Sequence, residues 1–212
     1  MSQTKWLYRS ILAMFLFTVT AAQAGDGLRV SASGAYSAAI GGLTGWFRSG
    51  NDLQLGLGRD NGNGWFLEGM LEYTQFNKDN LSGYPKGRVD LSLEHIAFWA
   101  NGKYSLWQKG NTAAYFSLAG GPVYWKGIRG AIPADEELAI PFIPRKVLEE
   151  WNMGFRTGLG AEYSMGSFGL DGSLCYRFVV GSLWPTMQES IEIEAVSGFQ
   201  SLSIRIGVFY QF

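Results

Sequence analysis

The sequence predicts an all-β chain, an eight-stranded antiparallel up-and-down transmembrane β-barrel. Three observations predict it. Segment after segment alternates apolar with polar or small residues, and the connections between segments alternate short with long. Beyond residue 24, no apolar run approaches the roughly 20 residues of a membrane-spanning helix, so any crossing must be made by strands closed into a barrel.

Residues 1–24 are expected to be a secretory signal peptide. Lys5 and Arg9 give a positive start, residues 11–22 are apolar, and Ala22-Gln23-Ala24 supplies the small-x-small cleavage pattern. The apolar run of about a dozen residues is short for an anchor helix. Cleavage after Ala24 leaves residues 25–212 as the barrel domain, 188 residues (212 minus 24).

The first strand, over 27–40, sets Leu28, Val30, Ala32, Gly34, Tyr36 and Ala38 against Arg29, Ser31 and Ser33. The second, near 46–59, sets Leu53, Leu55 and Leu57 against Gln54, Gly56 and Gly58. Asp60-Asn61-Gly62-Asn63-Gly64 is a strong hairpin turn. The third, 65–76, points Trp65, Leu67, Leu71 and Tyr73 outward and Glu68, Glu72 and Thr74 inward. After a polar loop at 77–87, the fourth opposes Val89, Leu91, Leu93, Ala97 and Trp99 to an inward set of Asp90, Ser92 and Glu94.

The fifth strand, 113–125, places Tyr115, Ala119, Val123 and Trp125 on one face and Phe116, Leu118 and Tyr124 on the other, with an unusually apolar inner side. Residues 127–150 form the longest connection, with a short helical possibility at 145–150. Loops of such length tend to be functional or disordered. The sixth strand has the cleanest alternation, Trp151 to Tyr163 against Asn152, Gly154, Arg156, Gly158, Gly160 and Glu162. The seventh opposes Phe168, Leu170, Leu174, Tyr176, Phe178 and Val180 to Asp171, Ser173, Cys175 and Arg177. In the eighth, Leu202, Ile204, Ile206, Val208, Tyr210 and Phe212 share a face. A long apolar edge of this kind invites aggregation unless it is paired, and a closed barrel pairs it.

Connections after strands two, four and six are expected to be about five residues, and those after one, three, five and seven about ten to above twenty, the asymmetry of short periplasmic turns and long extracellular loops. Both termini then lie in the periplasm. Trp65, Tyr104, Trp107, Tyr115, Tyr163, Phe168, Tyr210 and Phe212 fall near periplasmic strand ends, and Trp46, Tyr73, Trp125, Trp151 and Trp184 near loop ends. Two such girdles suit a membrane barrel. A soluble sandwich is the alternative, but it has no reason to sort rings to strand ends.

Glycine at 29 residues and aromatics at 15% favour short strands and turns over helices. Without Lys5 and Arg9 the charge is 15 basic minus 18 acidic, or minus three, which argues against a nucleic-acid partner. The lone Cys175 cannot form an intramolecular disulfide and is read as an inward, inert thiol.

With its signal peptide, eight alternating strands, alternating loop lengths and final Tyr210-Gln211-Phe212, the chain resembles the small eight-stranded outer-membrane proteins, the group of OmpX, OmpW and the membrane domain of OmpA. The resemblance is one of pattern over essentially the whole mature chain. It implies a bacterial outer-membrane location. It also implies that Phe212, with Tyr210, belongs to the signal read by the barrel-assembly machinery, the alternative being an interface anchor. Expected partners are outer-membrane lipid and lipopolysaccharide, and that machinery during biogenesis. The chain is expected to be a monomer.

The strand registers place Glu68, Glu72, Asp90, Glu94, Glu162 and Asp171 inside, facing Arg29, Arg88, Lys126, Arg156, Arg177 and Arg205. Six acids meet six bases. An eight-stranded interior is just wide enough for side chains to fill, so the bland reading is a plug of paired charges and the functional one a narrow polar path. Balanced charge gives no ion preference and favours the plug.

Enzymatic barrels of this membrane include lipid A deacylases, lipid A palmitoyltransferases and surface proteases, and a resemblance to any of the three would call for a histidine. The only one is His95, whose parity with Leu93 and Ala97 points outward, while Ser92 and Glu94 point inward. Ala97 also stands where the deacylase His-x-Ser motif needs its serine. No catalytic residues, metal ligands or cofactors are therefore expected; Asp135, Glu136 and Glu137, and Glu189, Glu192 and Glu194, lack calcium-loop spacing. The apolar stretch 139–144 in the long loop is read first as a cap over the barrel mouth, and otherwise as a surface for lipopolysaccharide or a partner. The expected role is structural or surface-interacting, the runner-up a narrow solute channel, and the third a lipid-modifying enzyme.

Overall fold

The computed structural model describes residues 27–45, 47–78, 91–131, 134, 142–183 and 196–212. The expected signal peptide lies outside them, as do Trp46, Arg88, Asp90, Trp184 and the two acidic loop clusters.

Eight strands run in order: β1 (Leu28–Ile40), β2 (Phe47–Asp60), β3 (Trp65–Lys78), β4 (Leu91–Lys109), β5 (Thr112–Arg129), β6 (Lys146–Met165), β7 (Phe168–Leu183) and β8 (Val196–Gln211). Each pairs with its neighbour, and β1 pairs antiparallel with β8 to close the barrel. At the seam Val30 faces Tyr210 and Ile40 faces Gln200. The Phe212 amide donates to the Leu28 carbonyl at 2.9 Å, continuing the seam to the end of the chain.

Short connections at 61–64, 110–111 and 166–167 lie at one end, and the strand ends that border 79–90, 130–145 and 184–195 lie at the other. In the first short turn Gly62 and Gly64 take φ of 73° and 80°, and Asn63 takes 55°, values that glycine and asparagine tolerate best. The Gly62 amide donates to the Asp60 carboxylate at 2.8 Å, fixing the turn. The connection after β1 is shorter than expected, residues 41–46, and opens with a 3-10 turn over Gly41–Gly45.

The long β5–β6 connection is also shorter than the sequence implied. Residues 145–150 do not form a helical turn: from Lys146 on they are strand, with Lys146 opposite Arg129 and Glu150 opposite Trp125. Period two in Val147, Glu149 and Trp151 carries the strand upward, and the Tyr124 hydroxyl donates to Glu149 at 2.8 Å across it.

Polarity is inverted relative to a water-soluble protein. Leu53 and Ile206 are 68% and 72% exposed on the outer wall, while Glu72, inside, is 1% exposed. Trp65, Tyr104, Trp107, Tyr163, Phe168, Tyr210 and Phe212 are exposed near the short-turn end, and Tyr73 and Trp151 near the other. Two rings assigned to these girdles point inward instead: Tyr115 and Trp125 are both buried in the lumen.

The largest correction concerns β4. Leu91, Leu93, His95, Ala97 and Trp99 face the interior, and Glu94 lies on the outer wall, opposite Lys126 of β5. Lys126 is outward as well, 4.0 Å from Glu149. The upper third of the lumen is apolar, so the rule that polar residues face inward reverses there, and β4 and β5 follow the reversed rule.

Candidate functional site: the barrel lumen

Large interior rings fit because glycines oppose them. A Cβ on Gly154 would strike the Trp99 ring, one on Gly160 the Tyr115 ring, one on Gly58 the Phe66 ring and one on Gly169 the Phe209 ring. Alternating large and small side chains is how a narrow barrel fills without a void.

Nearest the short turns is a first ionic layer. Arg29 on β1 grips Glu162 on β6 with both Nη atoms, at 2.7 and 2.8 Å, and its guanidinium lies 3.8 Å from the centre of the Phe209 ring. Lys103 bridges Glu162 at 3.0 Å and Asp171 at 2.9 Å, and the Tyr115 hydroxyl donates to Asp171 at 2.8 Å. Glu68 accepts from Ser31 at 2.6 Å and from Asn101 at 3.3 Å.

Above it three guanidinium groups converge on one carboxylate. Glu72 accepts from Arg156 at 2.8 Å, Arg177 at 2.7 Å and Arg205 at 2.6 Å. Gln54 accepts from Arg156 at 2.8 Å and also from Arg205. Asp52 accepts from Ser37 at 2.7 Å and lies 3.7 Å from both Arg177 and Arg205. Three positive groups thus face two carboxylates here, while two positive groups, Arg29 and Lys103, face three carboxylates, Glu68, Glu162 and Asp171, below. The layers carry opposite single excesses and balance each other. Such burial is tolerable because Glu72, Glu162, Asp171 and Asp52 lie against cations and Glu68 accepts hydrogen bonds from Ser31 and Asn101.

The third layer, toward the long loops, is a mainly apolar cap, with the buried Arg129 at its top donating to the Pro144 carbonyl at 2.9 Å. Trp125 packs edge-on against Phe199 at 5.0 Å, Phe47 lies 6.0 Å from Phe76, and His95 sits between Phe76 at 5.5 Å and Phe199 at 5.4 Å. Leu43 of the 3-10 turn and Ile143 of the β5–β6 connection are buried in the same cluster. Of the stretch 139–144, Ile143 thus joins the cap and Phe142 remains exposed. Residues 139–141 lie outside the described residues.

The structure therefore brings Glu72, Arg156, Arg177 and Arg205 into one cluster and Glu68, Glu162 and Asp171 into another, and leaves Glu94 outside. Sequence reading missed Asp52, Gln54, Asn101, Lys103 and Tyr115. Asp52 and Gln54 share the parity of Gly56 and were findable; Asn101 and Lys103 followed the mistaken register of β4. Between the two ionic layers remains a cavity of about 30 Å³, bordered by Arg29, Glu68, Asn101, Cys175 and Arg205. That holds on the order of one water. Among the described residues, no three His, Cys, Asp or Glu side chains group as a metal ion requires.

Several solved structures share this architecture. Neisserial surface protein A aligns over 88% of this chain and 97% of its own, with 15% identity and a TM-score of 0.54. Ail, the attachment invasion locus protein of Yersinia pestis, covers 89% and 100%, with 13% identity and a TM-score of 0.50. A major outer membrane protein from Thermus thermophilus covers 87% and 99%, with 14% identity and a TM-score of 0.51. No protein-family model and no curated protein matches the sequence. At such identities the likeness is one of fold, and the fold is that of the small eight-stranded outer-membrane β-barrels.

Proposed function

We propose that the chain is an integral, non-catalytic protein of the bacterial outer membrane, with a structural or surface-interaction role and both termini in the periplasm. The observation that carries this is the closed lumen: among the described residues, two ionic layers and a mainly apolar cap occupy the barrel, and the cavity between the ionic layers is about 30 Å³. The exposed leucines and isoleucines of the wall find their natural solvent in hydrocarbon. Lipid and lipopolysaccharide are then its surroundings, and the barrel-assembly machinery reads Tyr210 and Phe212 during insertion.

Reconstitution into planar bilayers tests the sealed lumen. The expected result is no steady unitary conductance. Conductance that Arg156 or Glu72 substitutions alter would establish the runner-up reading, a narrow solute channel.

The absence of catalysis is supported by placement. His95 is buried within the cap, whereas Ser92 and Glu94 lie on the opposite face of the same strand. Lipid A masses from cells with and without the protein are expected to be identical. A mass change abolished by His95→Ala would overturn this part of the reading.

A further inference from the structure

His95 is the only histidine of the chain and is 2% exposed in the middle of the cap. Neither ring nitrogen has a hydrogen-bond partner among the described residues, and neither does the indole nitrogen of Trp125. A neutral imidazole carries one donor and one acceptor, and a protonated one carries two donors and a charge. An apolar residue would fill this place without stranding polar atoms, so the histidine is a feature that the packing alone does not explain.

We infer that His95 makes the cap a proton-sensitive closure of the lumen, shut when the imidazole is neutral and opened to water when it is protonated. The inference rests on the sealed lumen of the proposed function.

The neighbours supply the argument. From β3, Phe76 faces the ring and Thr74 is its register partner; from β8, Phe199 faces it; from β5, Trp125 is its register partner. Phe76, Phe199 and Trp125 carry no charge and Thr74 only a hydroxyl. Above, on β5, the buried Arg129 donates to the Pro144 carbonyl at 2.9 Å; below lies the layer of Arg177 on β7, Glu72 on β3, Asp52 on β2, Arg156 on β6 and Arg205 on β8. Three guanidinium groups against two carboxylates leave that layer positive by one, and Glu72 is already engaged by all three arginines. Glu150, the register partner of Trp125, is exposed at the rim.

An imidazolium in the closed cap would thus meet aromatic faces and a positive layer beneath, with no hydrogen-bond acceptor placed on its ring nitrogens among the described residues. Water has to enter to solvate it. Protonation and closure exclude each other, so by linkage acid favours the open cap. An imidazole that has reached water titrates near about pH 6.5, so protonation begins to favour the open cap only below that value.

The test places a thiol within the cap in the full-length protein in lipid nanodiscs: Val179→Cys, at a fully buried position of the cap cluster, in a Cys175→Ser background. Labelling by dithiodipyridine, which still reacts in acid, is timed at about pH 7.5 and about pH 5 with His95 and with His95→Phe. The ratio of the two proteins cancels the intrinsic pH dependence of the reagent. With His95 the relative rate is expected to rise up to about tenfold per pH unit below the imidazole range, the slope of one linked proton. With His95→Phe it stays flat. No rise, or an equal rise in both, overturns the inference.

Fast labelling already at about pH 7.5 in both proteins would instead break the sealed lumen itself, and the inference with it. Should His95→Phe not assemble, the ring resonances of the single histidine decide by NMR. Titration over the same interval as the labelling supports the closure; a ring that stays neutral while labelling rises overturns it.

Discussion

Glu72 on β3 and Arg156 on β6 meet across the barrel at 2.8 Å, joining strands that are not neighbours in the sheet. Arg177 and Arg205 close on the same carboxylate from β7 and β8. One acidic side chain therefore ties four strands together through the lumen, independently of the backbone ladder.

Glu72→Ala should accordingly destabilise the barrel by about 3–5 kcal/mol, because it removes the carboxylate shared by three buried guanidinium groups and leaves Asp52 alone beside two of them. Lys126→Ala removes only the exposed 4.0 Å contact with Glu149 and should cost about 0–1 kcal/mol. Urea unfolding in lipid vesicles measures both. Similar costs for the two variants would show that the lumen network is not what holds the barrel.

Two glycines on β7 separate the inner wall from the outer. A Cβ on Gly169 runs into the Phe209 ring, whereas one on Gly172 meets open space. Gly169→Ala should lower the folded yield several-fold by forcing that ring to move, at a cost of about 1–3 kcal/mol for an overpacked interior. Gly172→Ala should fold like the parent protein. The folded fraction on gels after refolding reads both, and a harmless Gly169→Ala would mean that the Phe209 packing is wrong.

The outer wall makes a prediction about its solvent. Ile206→Arg places a charge at a 72% exposed position in the apolar band, and should cost about 2–4 kcal/mol in lipid vesicles if the site lies near the bilayer midplane. In water the same change at an exposed position would be nearly neutral. A variant as stable as the parent in vesicles would argue that hydrocarbon does not surround this face.

Deleting Phe212 should lower assembly yield in cells more than it lowers the stability of a barrel already formed. Its ring lies 4.8 Å from Tyr210 on the outer surface, and its amide bonds to Leu28 at the seam. Pulse-labelling of insertion, set beside urea unfolding, separates the two effects. Equal losses in both would reduce Phe212 to an interface anchor.

The parts of the fold legible in the sequence are those where one face is water-like and the other lipid-like along the whole strand. In β6 and β8 the inward positions are polar or small except Leu148, Phe199 and Phe209, so parity alone assigns the faces. In β4 the inner face is apolar from Leu91 to Trp99 except at His95, and turns polar at Asn101 and Lys103, below the cap. Hydrophobicity then indicates depth rather than side, and parity reads the strand inside out. That single inversion misplaces Glu94 and hides Lys103 and Asn101, and it points His95 outward when it is the polar centre of the cap. The outward Lys126–Glu149 contact is hidden for a related reason: β5 and β6 continue past the point where the alternation of apolar residues fades.

The central claim, a closed barrel whose apolar wall faces a bilayer, is tested most directly by membrane fractionation followed by gel electrophoresis with and without boiling. The protein should sediment with the outer membrane, and its unboiled form should migrate differently from its boiled form. Recovery in the soluble fraction, with one mobility whether boiled or not, would contradict the account.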